Sequence, residues 1–140
     1  MKWVTWENVG VDRMACAWLI RRFIDPSAEF LFIPAGQQPP PEGTEPFDIP
    51  GVRLSHRRGH SSFHTMVQEY ALPDAVLGRI AQMVDEADTT QEVMVEPAAP
   101  GLDLICRGIR LTSPSEEAAL ERGGLIYEAL YAQLTADPSS

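Results

Sequence analysis

Cysteine is scarce in this chain. Only Cys16 and Cys106 occur among 140 residues, and they form no CxxC pair, which argues against a disulfide framework and for reduced thiols in a cytoplasm. Long apolar runs are missing as well. No segment approaches the roughly 18 consecutive apolar residues of a membrane helix, and Met1-Lys2-Trp3 leads straight into polar residues rather than a signal-type segment. A cytoplasmic protein with no membrane partner is expected. Internal repeats, a phosphate-binding glycine loop, a nucleophile elbow around Ser61 and Ser62, and an HExxH or HxH spacing are all absent. Basic excess is lacking too. Residues 1–60 balance seven Lys/Arg against seven Asp/Glu, whereas residues 61–140 set four against thirteen, which accounts for the net charge of −9. Such a surface repels nucleic acid, and only Arg53, Arg57 and Arg58 offer a local basic patch. Direct nucleic-acid binding is not expected.

What is present fits one soluble domain over residues 1–135, followed by a disordered tail over 136–140. A chain of this length buries a core without disulfides. The organising stretch is Val11 to Pro34. Its Val11, Met14, Ala15, Trp18, Leu19 and Phe23 recur at three- and four-residue steps and predict a helix with one buried face. Asp25-Pro26 ends that helix, since the residue before proline is pushed out of the α region. Phe30 to Ile33 reads as a buried strand. Asp12, Arg13, Cys16, Arg21 and Arg22 are polar additions that a core helix does not need, and Asp12 and Cys16, four apart, share a flank.

Elsewhere, Met1–Thr5 reads as an edge strand and Ala35–Pro46 as a proline-rich loop. Val52-Arg53-Leu54-Ser55-His56 alternates with period two and predicts a third strand, with His56 on the face of Val52 and Leu54. A helix capped by Ser61 or Ser62 runs to about Tyr70, and a second opens near Pro73 and reaches Asp88. Asp85, Glu86 and Asp88 crowd the last turn of the latter, where the helix dipole favours cations, so either that end frays or a cation sits there. Leu102 to Ile109 marks a short helix. Ser113-Pro114-Ser115-Glu116 starts a last helix to about Leu134, in which Gly123-Gly124 points to a close approach or a kink. Trp18, Tyr70, Tyr127 and Tyr131 read as packing residues. The fold class is α+β: about five helices packed on a small sheet of short strands.

All three histidines lie within nine residues, His56-Arg57-Arg58-Gly59-His60-Ser61-Ser62-Phe63-His64. Imidazole is the commonest ligand for transition metals, and such sites usually add a carboxylate. His56 and His64 are expected to converge on one ion with Asp12 or Asp88, and Asp48 is a further carboxylate within the choice. His60, on the turn, is the more exposed. With no thiolate pair, a divalent iron, manganese or zinc ion with open positions is the expected cofactor. Arg13 and Arg21 are candidates to orient an oxyanion through forked guanidinium donors. Cys16 is a candidate redox or nucleophilic thiol, with Arg13 to lower its pKa. Each has a plainer reading, as hydrogen-bonded histidines, solvated arginines and a small core cysteine.

The strings K-W-V-T and V-D-R-M-A-C-A-W-L-I-R-R-F-I-D-P-S-A-E-F-L-F-I-P resemble the C-terminal domain of the ChrB chromate-resistance family. The likeness continues through P-F-D-I-P-G-V-R-L-S-H, S-F-H, A-D-T and G-L-I-Y-E-A-L-Y-A, from Lys2 to about Leu134. The resemblance implies a link to chromate response, in a family whose members carry a DNA-binding region ahead of this domain. Asp12, Arg13, Cys16, Trp18, Arg21, Asp48, His56 and Asp88 match the family pattern. Ala17, Ser61 and His64 depart from it, standing where proline, cysteine and an acidic residue are usual. Position 64 thus exchanges one ligand type for another, which supports a coordinating role, and the serine at 61 speaks against thiol chemistry shared with Cys16.

The primary expectation is therefore a metal-binding protein of the chromate-resistance type that acts on or senses a small anionic ligand, an oxyanion or a carboxylate. Whether it is a mononuclear metalloenzyme is left open, as is a homodimer. The rivals are a metal-free oxyanion sensor working through a partner protein, and an interaction module that docks through the acidic second half.

Overall fold

The computed structural model describes every residue from Met1 to Ser140. Strand β1 (Lys2–Trp6) leads into helix α1 (Val11–Leu19), whose last turn loosens into a π-type winding over Ile20–Ile24 before β2 (Glu29–Ile33). A two-residue strand β3 (Glu45–Pro46) follows, then α2 (Ser62–Glu69), α3 (Ala75–Asp88), α4 (Ala99–Thr112) and α5 (Glu116–Ala136). The class is α+β, five helices around a three-stranded sheet of order β2-β1-β3. No helix is long and apolar enough to cross a membrane.

Both strand pairs are parallel, with Trp3 beside Phe30 and Glu45. The first strand is therefore central, not an edge. Its Trp3, Val4 and Thr5 are all buried, as expected of a parallel strand covered on both faces. One face puts Trp3, Phe30 and Phe47 into the main core, and the other puts Val4, Ile33 and Ile49 into a small second cluster with Trp6 and Val52.

The third expected strand does not form. Val52 joins the small cluster while Leu54 enters the main core, so period two is broken between them. Gly51 at φ +89° and the Val52 N–H donating to Ile49 O (3.2 Å) make a turn there. The Ser55 hydroxyl donates to Val52 O at 2.6 Å, giving the backbone a local partner in place of a ladder. Only a single bridge, Phe47 to Leu54, survives.

Helix α1 is the hub and touches α2, α3, α4 and α5. All of its residues but Arg13 are buried, which is what a helix enclosed on all sides requires. Trp18 stacks on Phe63 and Tyr127 and meets Phe23 edge-on, so the aromatic residues are packing residues. At the crossing with α5, a Cβ on Gly123 would lie 2.7 Å from Met14 Sδ and 2.9 Å from Met14 Cβ. That contact is the close approach the paired glycines point to, and it involves Gly123 alone. Nearby, the buried Tyr127 hydroxyl donates to Val11 O at 2.7 Å and anchors the start of α1 to α5.

Candidate functional site

Because the strands are parallel, their carboxyl ends share one edge of the sheet, where ligands of open α/β sheets gather. β1 ends at Trp6, and five residues on α1 opens with Val11, Asp12 and Arg13. β3 ends at Pro46, and Asp48 follows two residues on. A cavity of about 630 Å³ lies at this edge, with Asp12, Arg13, Asp48, His56 and Asp88 in its wall.

Asp12 is held from above by α2. Its Oδ2 accepts from Ser62 N at 2.8 Å and its Oδ1 from Phe63 N at 2.9 Å. These are donors that a helix start leaves without intrahelical partners, and the dipole there favours a carboxylate. Asp48 sits in the left-handed region at φ +51°, which aspartate tolerates better than most residues. Ser62 Oγ donates to its Oδ1 at 2.6 Å, and Arg13 grips the same residue, with one terminal amine donating to Asp48 O at 2.9 Å. Arg13 Nε lies 3.1 Å from Asp48 Oδ2, close enough for charge attraction but off line for a hydrogen bond.

His56 meets these acids at one atom. Its Nε2 is 3.0 Å from Asp12 Oδ2, 3.0 Å from Asp88 Oδ2 and 3.7 Å from Asp48 Oδ1. The bond with Asp12, and then that with Asp88, raises the imidazole pKa to about 10. Burial, reinforced by the neighbouring Asp12 charge, pushes the Asp48 carboxyl well above its ordinary value, against the pull of Arg13 and Ser62. Three acids around one nitrogen repel each other unless a cation lies among them.

The sequence-based site is regrouped by this geometry. Asp12, Asp88 and His56 come together, with Asp48 as a fourth member. His64 does not join them. It lies with His60 at Asp85, Nδ1 being 3.4 Å from Asp85 Oδ2, because the turn at Arg57–His60 puts positions 56 and 64 on opposite flanks of the α2 start. Arg21 is on another face altogether. It donates to Ala28 O at 3.2–3.3 Å and lies over the Phe30 ring, beside a second, smaller cavity. Arg13 lines the main cavity, but its two terminal amines are turned to Glu7 O and Asp48 O.

Cys16 is fully buried and donates to Asp12 Oδ1 at 3.6 Å. Burial, with the Asp12 and Asp48 charges adding to it, drives its thiol pKa well up, which opposes formation of a nucleophilic thiolate. Burial likewise raises Cys106 to about 11. Neither thiol of the native protein is expected to react with an aromatic disulfide reagent, and both should react once the chain is unfolded in guanidinium. Rapid labelling of Cys16 in the native state would overturn this placement.

Three cavity residues escaped the sequence reading: Asp103, Arg107 and Arg110 of α4. Arg107 Nε donates to Asp103 Oδ2 at 2.9 Å. Steps of four and three, along the flank bordering the buried Leu102 and Cys106, were the available signal. Asp85 escaped as a ligand too, although it belongs to the acidic crowd at the end of α3. That end does not fray. Asp85 and Glu86 are buried there, Glu86 accepting from the Val95 and Glu96 N–H groups.

The comparisons with known proteins agree with the sequence resemblance. The profile of the family described as "ChrB, C-terminal domain" matches residues 3–134. Protein ChrB of Cupriavidus metallidurans is 35% identical over 131 residues, which is 93% of this chain and 40% of that protein. The chain thus spans well under half the length of this curated relative. No solved structure matches. The chain belongs to the ChrB C-terminal domain family.

Proposed function

We propose that this ChrB-family domain is a metal-binding protein of the chromate-resistance type, in which Asp12, Asp48, His56 and Asp88 hold one divalent transition metal ion against a small anionic ligand. The observation that carries this reading is the convergence of three carboxylates, from α1, the turn after β3 and the end of α3, on one imidazole nitrogen. The donor set fits iron or manganese, and also zinc, since hard carboxylate oxygens dominate and Cys16 turns its sulfur to Asp12 instead. When bound, the ion would supply Lewis acidity toward an oxygen of the ligand.

The surrounding residues have separable jobs. The Ser62 and Phe63 N–H groups fix the direction of Asp12. Arg13 and Ser62 keep Asp48 in its left-handed turn. For the ligand, Arg107 and Arg110 bring positive charge to the cavity wall from α4. The first turn of α1, which starts at Gly10 without a side-chain cap, lines the same cavity and favours an anion. A chromate or sulfate dianion, or a carboxylate, suits this lining. The same exposed arginines favour the second reading, an oxyanion sensor that needs no metal.

Elemental analysis of the full chain after loading with manganese, iron or zinc tests the proposal. One ion should be held through Asp12, Asp48, His56 and Asp88, and in His56→Ala or Asp88→Ala its affinity should fall by about 10–100-fold or more. Protein that takes up no ion at this cluster, yet binds chromate in a titration, would replace the first reading with the second.

A further inference from the structure

The three acids of the cavity do not account for the other two histidines. His60 comes from the turn before α2, His64 from the first turn of α2, and Asp85 from α3. Asp85 is completely buried. Its Oδ1 is satisfied by the Ser61 N–H at 2.8 Å and the Ser61 hydroxyl at 2.7 Å. The other oxygen, Oδ2, faces both imidazoles, with Nδ1 of His60 at 2.6 Å and Nδ1 of His64 at 3.4 Å. We propose that His60, His64 and Asp85 form a second metal site, separate from the His56 cluster, which takes a borderline divalent ion of the zinc class.

Hydrogen bonding alone explains only part of this arrangement. His60 meets the needs of Oδ2, whereas His64 is brought to the same oxygen without making a hydrogen bond to it. The two rings are stacked, their centroids 3.9 Å apart and their planes tilted by 16°. One ligand atom from each residue lies within 4.8 Å of the other two. Metal–nitrogen and metal–oxygen bonds of about 2.0–2.1 Å at tetrahedral angles place ligand atoms about 3.3–3.4 Å apart. The His64–Asp85 separation already has that value; the His60–Asp85 separation must open by less than about 1 Å, and the two rings must turn well out of their stack so that each in-plane lone pair meets the ion.

The outer contacts also suit a ligand role. Gln68 Nε2 lies 3.1 Å from His64 Nε2. With an ion on Nδ1, the proton of the ring moves to Nε2, and a flip of the Gln68 amide presents Oε1 to accept it. Such an outer partner is what metal-bound histidines usually have. Two imidazoles and one carboxylate favour zinc and its neighbours, while three carboxylates and one imidazole favour harder ions, so the two sites should differ in preference. His60 is 42% exposed and His64 25%, which leaves a path for the ion and room for a water or an anion as a fourth ligand.

The test is titration of the full chain with zinc, and with cobalt(II) as a coloured stand-in, in the wild type, His56→Gln and the His60→Gln/His64→Gln double variant. The wild type should take up about two equivalents and the double variant about one, with the cobalt bands of a nitrogen-rich site lost in the double variant and kept in His56→Gln. If the double variant loses all binding while His56→Gln loses none, this site stands and the reading of the His56 cluster falls. An unchanged stoichiometry and cobalt spectrum in the double variant would overturn the proposal. The ring-proton NMR signals of His60 and His64 in the wild type give a check that needs no variant: zinc should shift or broaden both, and signals that stay put refute the site.

Discussion

Asp12→Ala is expected to lower stability by about 3–5 kcal/mol, the effect of removing one member of a buried charged network. Total stabilities of domains are about 5–15 kcal/mol, so the variant should populate unfolded chain near physiological temperature. The carboxylate is 3% exposed and serves four partners: the Ser62 and Phe63 N–H groups, the Cys16 thiol and the His56 ring. Without it, two N–H groups at the start of α2 lose their acceptors inside the protein, and each unsatisfied buried donor costs about 1–3 kcal/mol. Asp12→Asn keeps the volume but places an NH2 against one of those donors, so it should recover little. Asp88→Ala is the contrasting control. Its carboxylate is 30% exposed and pairs with His56, and pairs open to solvent contribute about 0–1 kcal/mol. Urea unfolding followed by circular dichroism separates the cases. An Asp12→Ala midpoint close to that of Asp88→Ala would mean that α2 does not depend on this carboxylate.

The dual role of Asp12 also shows which parts of the molecule the residues alone could reveal. Helix α1 was legible because Val11, Met14, Trp18 and Leu19 repeat at helical steps. The capping of α2 by Ser61 was legible because it is a local hydrogen bond, made to the His64 N–H three residues on, whereas α5 is capped by Ser115 and opens at Glu116, not at the Ser113–Pro114 start that the capping-box pattern suggests. Non-local pairing was not legible. Met1–Thr5, short, aromatic and β-branched, reads as an edge strand, and only the arrival of Glu29–Ile33 on one side and Glu45–Pro46 on the other makes β1 central. Val52–His56 carries a strand-like alternation that the Gly51 turn and the Ser55 hydroxyl override. For the candidate site, the histidine cluster and the acids at the helix ends marked segments that the fold brings together. The division into a His56 group and a His60–His64 group depends on how the chain turns at Arg58 and Gly59, both at positive φ. No spacing rule contains that turn.

Stability of the metal-free protein should fall as pH rises from neutrality, and metal should reverse the fall. His56 carries its proton up to about 10 in the folded state against 6.5 in a free imidazole. Its contribution is therefore complete below 6.5 and is lost as pH climbs toward 10. Asp48 acts in the same direction. Burial raises its folded pKa above 3.8, so the folded state holds that proton more tightly than the unfolded chain does, and the advantage disappears as pH rises through the folded value. The His56 ring is half exposed, so solvent screens its share. A metal ion bound at the proposed cluster takes the ring nitrogen from the proton. Binding should then release a proton, strengthen with pH and stabilise the fold by about 4 kcal/mol at a thousandfold excess over the dissociation constant. Chelator-treated protein should show a urea midpoint that declines with pH, and manganese- or zinc-loaded protein a higher midpoint that declines less. In His56→Gln both the decline and the effect of metal at this cluster should shrink. A metal-free midpoint that rises across the same interval would mean that the acids around His56 are not charged as their separations imply.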